Sequence, residues 1–173
     1  MASPSRSTNA AALPSADACL AVVGKKQGPL KGECELPGHE NEIDVIAWHW
    51  GVTAPTAPGS TQATGRRVYD VLEIDKHVDT SSTKLINALA TNEELRSVTL
   101  TLRKAGTDDE DFFTITLEKA RIVSSNLQSS PSGGLYETVA FAYLKIQIDY
   151  HPQQRTGQRG AATSFSDELE VET

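Results

Sequence analysis

Apolar and polar side chains alternate with a period of two along most of this chain, the spacing that predicts β-strands. In 42-EIDVIAWHWGV-52, Ile46, Trp48 and Trp50 fall on one face, and Ile43, Val45, Ala47 and His49 on the other. Both tryptophans of the chain lie in this stretch, and the opposite face carries little charge. A strand resting one-sidedly on a core alternates apolar with charged residues, so this one is expected to be covered on both faces, either within its own fold or by its core on one side and a neighbouring subunit on the other.

The same period predicts strands over 18–24, 68–78 and 97–105, the last with Val98, Leu100 and Leu102 inward and Thr99, Thr101 and Arg103 outward. The run 112–125 places Phe113, Ile115 and Leu117 on one face and shifts phase at Lys119-Ala120, which predicts a bend there. In 139–152 the apolar face is Ala140, Ala142, Leu144, Ile146, Ile148 and Tyr150, and Pro152 ends the strand. Between strands, 79-DTSSTKLINALATNEE-94 changes to a helical stripe of Leu85, Ile86 and Leu89. Ser81 or Ser82 is the expected N-cap of a helix over about 82–91. The connections 27–41, 52–67 and 126–137 are rich in Gly, Pro or Ser, and 106–111 is a hairpin turn. Mainly antiparallel strands with one helix predict a small β-barrel of two sheets with that helix packed at its side. Residues 1–17 and 155–173 are polar ends, the first expected to be disordered and the second to hold one short strand around Phe165.

The net charge of −7 argues against nucleic-acid binding, which calls for a basic stripe. No signal peptide and no apolar run of membrane-spanning length are read, so no membrane insertion is expected. Cys19 and Cys34 are too few for a disulfide framework or a zinc site and read as reduced thiols of a protein made in the cytoplasm.

Catalytic signatures are missing from the pattern. His39, His49, His77 and His151 form no metal-ligand spacing, and no nucleophile elbow or phosphate-binding loop occurs. His49, between two tryptophans, reads as a partly buried structural imidazole. The run 108-DDEDF-112 reads as a solvated hairpin tip rather than a calcium loop. Asp70, Asp75 and Asp79 show no sign of converging. No enzyme, no cofactor and no metal are expected.

Several motifs occur in one order: Glu42-Ile43-Asp44-Val45 with Trp48-x-Trp50-Gly51, the helix entry Asp79-x-Ser81-Ser82 with Leu85, Arg103-Lys104-Ala105-Gly106, and Ile148-Asp149-Tyr150-x-Pro152-Gln153. Over residues 18–154 the chain resembles the haemolysin-coregulated protein (Hcp) family of type VI secretion systems. Residues 1–17 extend beyond the family's usual start, and the tail lacks the aromatic-Asp closing strand of the family. The resemblance implies a homo-hexameric ring that stacks into a tube inside a contractile sheath, tipped by a spike protein and carrying small effectors. It implies cytoplasmic assembly followed by secretion without a signal peptide. It also places a ring-stacking loop at 53–66, with Thr53, Pro55, Pro58, Gly59, Gln62, Arg66 and Arg67 as its contact candidates. Trp48, Trp50, Leu85, Leu89, Phe113, Ile146 and Ile148 are the expected core anchors. The competing readings are a phage or phage-like tail-tube protein, a monomeric barrel with a closed apolar ligand cavity, and an effector-fused variant.

Overall fold

A computed structural model describes residues 16–104, 110–152 and 160–169. The expected disorder of 1–15 and the tip of the 106–111 turn lie outside the described residues. In chain order the elements are β1 (Ala16–Gly24), β2 (Gly28–Pro29), β3 (Ile43–Val45), β4 (Ala47–His49), β5 (Val52–Thr53), β6 (Val68–Tyr69), β7 (Leu72–His77), α1 (Ser82–Ala90), β8 (Leu95–Lys104), β9 (Asp111–Ser129), β10 (Leu135–Ala142), β11 (Lys145–Tyr150) and β12 (Thr163–Glu168). The fold is mainly β with a single helix. Ten strands form one antiparallel network in the order β2-β1-β8-β9-β10-β7-β4, with β3 on β1 and β11 between β9 and β12, while β5 and β6 pair only with each other.

The ladders do not close into a barrel. β3 pairs with β1 and β4 pairs with β7, yet β3 and β4 are one stretch of chain separated only by Ile46. That stretch joins the two ends of the network covalently instead of by a ladder. The network has two halves, β1, β2, β3, β8, β11 and β12 on the first part of β9 and β4, β7 and β10 on its second part, and one core, containing Leu20, Ile43, Leu72, Ile74, Leu85, Val98, Leu100, Ile115, Leu117, Val139, Phe141 and Ile146, lies between them.

Where the chain passes from one half to the other without the helix between, at three places, the two-residue phase slips. At Ile46 the buried series moves from Ile43 and Val45 to Trp48 and Trp50, and Ile46 itself is 54% exposed. The two faces drawn for 42–52 as a single strand are therefore each half inside. β9 changes partner from β11 to β10 between Glu118 and Arg121, and Lys119 there adopts φ +50°, the bend expected from the sequence. The run 139–152 is not one strand either. It breaks at Tyr143-Leu144, and its core face passes from Val139, Phe141 and Tyr143 in the first half to Ile146 and Ile148 in the second. A one-residue slip flips every later side chain to the other face, so a pattern read straight through a crossing assigns half of it wrongly.

The helix buries Ser82, Leu85 and Ala88, with Leu89 partly buried; Ile86, expected in the same stripe, is exposed. Ser81 is the N-cap as expected, but its side chain makes no cap hydrogen bond, and the first turn is held by Asp79. Asp79 Oδ1 accepts from Ser81 N at 2.8 Å and from Ser81 Oγ at 2.5 Å, and Asp79 N donates to Ser82 Oγ at 3.0 Å. Thr101 and Arg103, expected to face outward, do point away from the core but are buried, because the 30–42 loop lies over them. Arg103 Nη1 donates to Pro37 O at 2.6 Å, and Arg103 Nε to Asp111 at 2.9 Å. The sheet outruns its expected start, since Ala16 and Asp17 begin β1, and the strand expected around Phe165 is Thr163–Glu168, which pairs along all of β11.

Candidate assembly surface

Residues 52–68 are all exposed, yet they are ordered into a hairpin arm. β5 and β6 pair at its base, a bridge joins Thr56 to Ala63 midway, and Thr64 N donates to Pro55 O at 2.8 Å. At the tip Ser60 N donates to Ala57 O at 3.0 Å, and Gly59 takes φ +77°, a conformation that suits glycine. Gly65 needs no such freedom; a Cβ there would make only ordinary contact with Pro55, at 3.7 Å. Thr53, Pro55, Pro58, Gly59, Gln62, Arg66 and Arg67 thus lie along one projecting element without a buried side chain among them.

The root of the arm is as fixed as its length is bare. Trp50 Nε1 donates to Tyr143 Oη at 2.5 Å, and Tyr143 Oη donates to Asp70 O at 2.9 Å, so one tyrosine holds both ends of the arm. Burial pushes the Tyr143 hydroxyl above its ordinary pKa, against the opposing pull of Trp50. Tyr69 stacks at a tilt on Trp50, with ring centres 6.3 Å apart, and its hydroxyl donates to Asp167 of β12. That hydrogen bond, then burial, push Tyr69 upward as well. Trp48 packs elsewhere, stacking on Phe113 at 6.0 Å and 22°. Leu85 and Ile146 are fully buried, while Trp48, Trp50, Leu89, Phe113 and Ile148 are partly buried against the same core.

Beside the arm, β4 turns Ala47 and His49 outward, and both are exposed. His49 is therefore not the partly buried imidazole that its neighbours suggested. At the other end of the same half, Leu127 and Leu135 are 57% and 59% exposed. They share a face with Glu137, because Leu127 lies opposite Glu137 and Leu135 is two residues before it.

The polar cluster under the helix is the feature that sequence reasoning missed. Lys76 is wholly buried, and its Nζ donates to Glu137 Oε1 at 2.6 Å, His77 O at 2.7 Å, Asp79 Oδ1 at 2.9 Å and Ser82 Oγ at 3.2 Å. Ser82 Oγ in turn donates to Glu137 Oε1 at 2.6 Å. Burial pushes Asp79 up, but the Ser81 hydrogen bonds and the charge of Lys76 outweigh it and hold the carboxyl below its usual range. A serine beside a lysine brings nucleophilic chemistry to mind. Here both are sealed from solvent and satisfied by each other, so the cluster fastens α1 to β7 and β10. Its signal was a charge in phase with a core face on each of two paired strands: Lys76 follows Leu72 and Ile74, and Glu137 precedes Val139 and Phe141.

Among the described residues, the one set able to hold a metal ion is Cys19, Cys34 and Asp44. No described helix is long and apolar enough to cross a membrane.

A family model described as "Type VI secretion system effector, Hcp" matches residues 22–150. The chain belongs to the Hcp family of type VI secretion systems. It is 31% identical over 140 residues to protein hcp1 of Pseudomonas aeruginosa, an alignment covering 78% of this chain and 85% of that one. Among solved structures, a crystal structure of an Hcp protein superposes with a TM-score of 0.78 at 26% identity, covering 90% of this chain and 100% of the other. The secreted protein Hcp3 of Pseudomonas aeruginosa matches with a TM-score of 0.68 at 27% identity, covering 91% and 100%. Membership makes this a secreted tube protein of mainly β structure, in a family that is structural rather than enzymatic. In the Lys76 cluster Glu137 Oε1 takes both Lys76 and Ser82, while Glu137 Oε2 is buried without a hydrogen-bond partner.

Proposed function

We propose that six copies of this chain close into a ring, and that rings stack through the 52–68 arm into the inner tube of a type VI secretion system. The tube assembles in the cytoplasm, is driven out by a contractile sheath behind a spike protein, and carries small effectors; the subunit performs no catalysis. The observation that carries this reading is the arm itself. Folding a chain segment costs conformational entropy that burial normally offsets, and residues 52–68 are ordered without burying a side chain. A rigid root and a bare length suit an element whose covering surface belongs to another ring. The outward side of β4, with Ala47 and His49 and the exposed Ile46 just before it, and the Leu127–Leu135 end offer two different surfaces to neighbours, as a head-to-tail ring requires.

Light scattering with negative-stain imaging tests the proposal on the full chain and on a variant lacking residues 55–64. Six-membered rings from both chains, with stacks or tubes only from the intact one, are expected. Tubes from the deletion variant would refute the role of the arm, and a monomer at all concentrations would refute the ring.

A further inference from the structure

Two nucleophilic side chains take no part in that assembly. Cys19 and Cys34 place their Sγ atoms 2.7 Å apart. Both are free thiols and both are buried. The chain path explains the meeting. Cys19 faces away from the core on β1, opposite Asp44 on β3 and Thr101 on β8. Cys34 N donates to Glu42 O, and Cys34 O accepts from Asn41 N, so its loop runs beside the chain that enters β3. Along that loop Lys31, Glu33 and Glu35 are exposed while Gly32 and Cys34 point in.

The spacing discriminates between two uses of the pair. Two thiolates on one tetrahedral zinc, each about 2.3 Å from the metal, lie about 3.8 Å apart. Bonded sulfurs lie about 2.05 Å apart. The observed separation is nearer the bonded one, and the third group, Asp44 Oδ1, is 4.0 Å from Cys19 Sγ.

We propose that Cys19 and Cys34 are a dithiol that closes to an intramolecular disulfide when the folded chain meets a low-molecular-weight disulfide, stapling the 30–42 loop to β1. One thiolate attacks the reagent's S–S bond and releases one reagent thiol. The second cysteine thiolate then attacks the mixed disulfide and releases the other. The protein gives up two electrons and two protons, and the reagent is reduced to two thiols. Burial, and then the neighbouring thiol and the Asp44 carboxylate, push Cys19 up, and burial pushes Cys34 up. The reactive thiolate is therefore scarce at neutral pH, and closure is slow in a reducing cytoplasm and favoured outside it. The inference does not rest on the ring and tube, because closure is intramolecular and is read on the purified chain in any oligomeric state.

The test incubates the reduced full-length chain, without denaturant, with oxidised glutathione at neutral and mildly alkaline pH. The expected product has lost two hydrogens, yields a Cys19–Cys34 cross-linked peptide, and forms about tenfold faster per unit rise in pH. Its thermal midpoint should exceed that of the reduced chain by about 5–10 °C, a difference missing from a Cys19→Ala, Cys34→Ala double variant. A persistent glutathione adduct, dimers linked between chains, or two thiols still free to alkylate after unfolding would each overturn the proposal. So would zinc retained by the reduced chain that shields both thiols until a chelator is added.

Discussion

Two long connections of this molecule look alike in sequence and do opposite things. Both 27–41 and 52–67 are rich in Gly and Pro, but 30–35 alternates buried with exposed residues while 52–67 has no period. The first folds back on its own domain: Leu30 and Cys34 are buried, Pro37 O takes Arg103, and His39 sits between Glu42 and Asp111 at 2.9 and 3.0 Å. Thr80, at the entry to the helix, bonds both Lys31 O and Glu33. The second is exposed along 52–68 and is held at its root, where Tyr143 bonds Trp50 and Asp70. A connection's composition reports how freely the backbone can bend. Whether it serves its own chain or another is a matter of where its ends are held.

If the first loop is cement and the second is an arm, substitutions should separate them. The largest loss is expected under the helix, whose entry the cemented loop bonds through Thr80. Lys76→Ala leaves Glu137 buried and Asp79 partly buried without their cation and should cost about 3–5 kcal/mol, read by urea unfolding. Arg103→Ala releases Pro37 and Asp111; because Asp111 is partly exposed, the expected cost is smaller, about 2–3 kcal/mol. Next come the glycines. A Cβ on Gly32 would lie 2.6 Å from Glu42 O, against backbone that cannot yield cheaply, so Gly32→Ala should cost about 1–3 kcal/mol. Gly59 has open space around it, and its positive φ alone should make Gly59→Ala cost about 1 kcal/mol. Acid should act on the cemented side only. Asp79 is held below its usual range, so its contribution is complete above about pH 5 and is lost as pH falls through the depressed folded value. Asp79→Asn should therefore flatten the acid limb of a stability–pH profile. The smallest effect on stability belongs to the arm: removing 55–64 should change unfolding by less than about 0.5 kcal/mol while changing assembly completely. A large loss of stability from that deletion would collapse the contrast between the two connections.

Much of this was legible in the residues. The strand at 97–104, the helix near 82–90 and the bend at Lys119 follow from local periods, and the ordered motifs carried the family. The bare character of 52–67 was also readable, since it offers no apolar series to bury. Illegible were the placements that depend on contacts far apart in sequence. Ile86 and Leu85 are equally apolar, but only the packing of α1 against β9 settles which one faces the core. His49 stood between tryptophans, but the phase slip at Ile46 turned it outward.

Alternation along a strand defines which side chains share a face, and that much belongs to the sequence alone. It does not say which half of the sheet a strand joins, and each crossing at Ile46 and at Tyr143-Leu144 reverses the assignment beyond it. Nor does local composition say that Lys76 meets Glu137, or that Cys34 meets Cys19, because those pairs lie 61 and 15 residues apart. Those meetings depend on strand register and on the path of a loop across a face, which exist only once the chain has closed around its core.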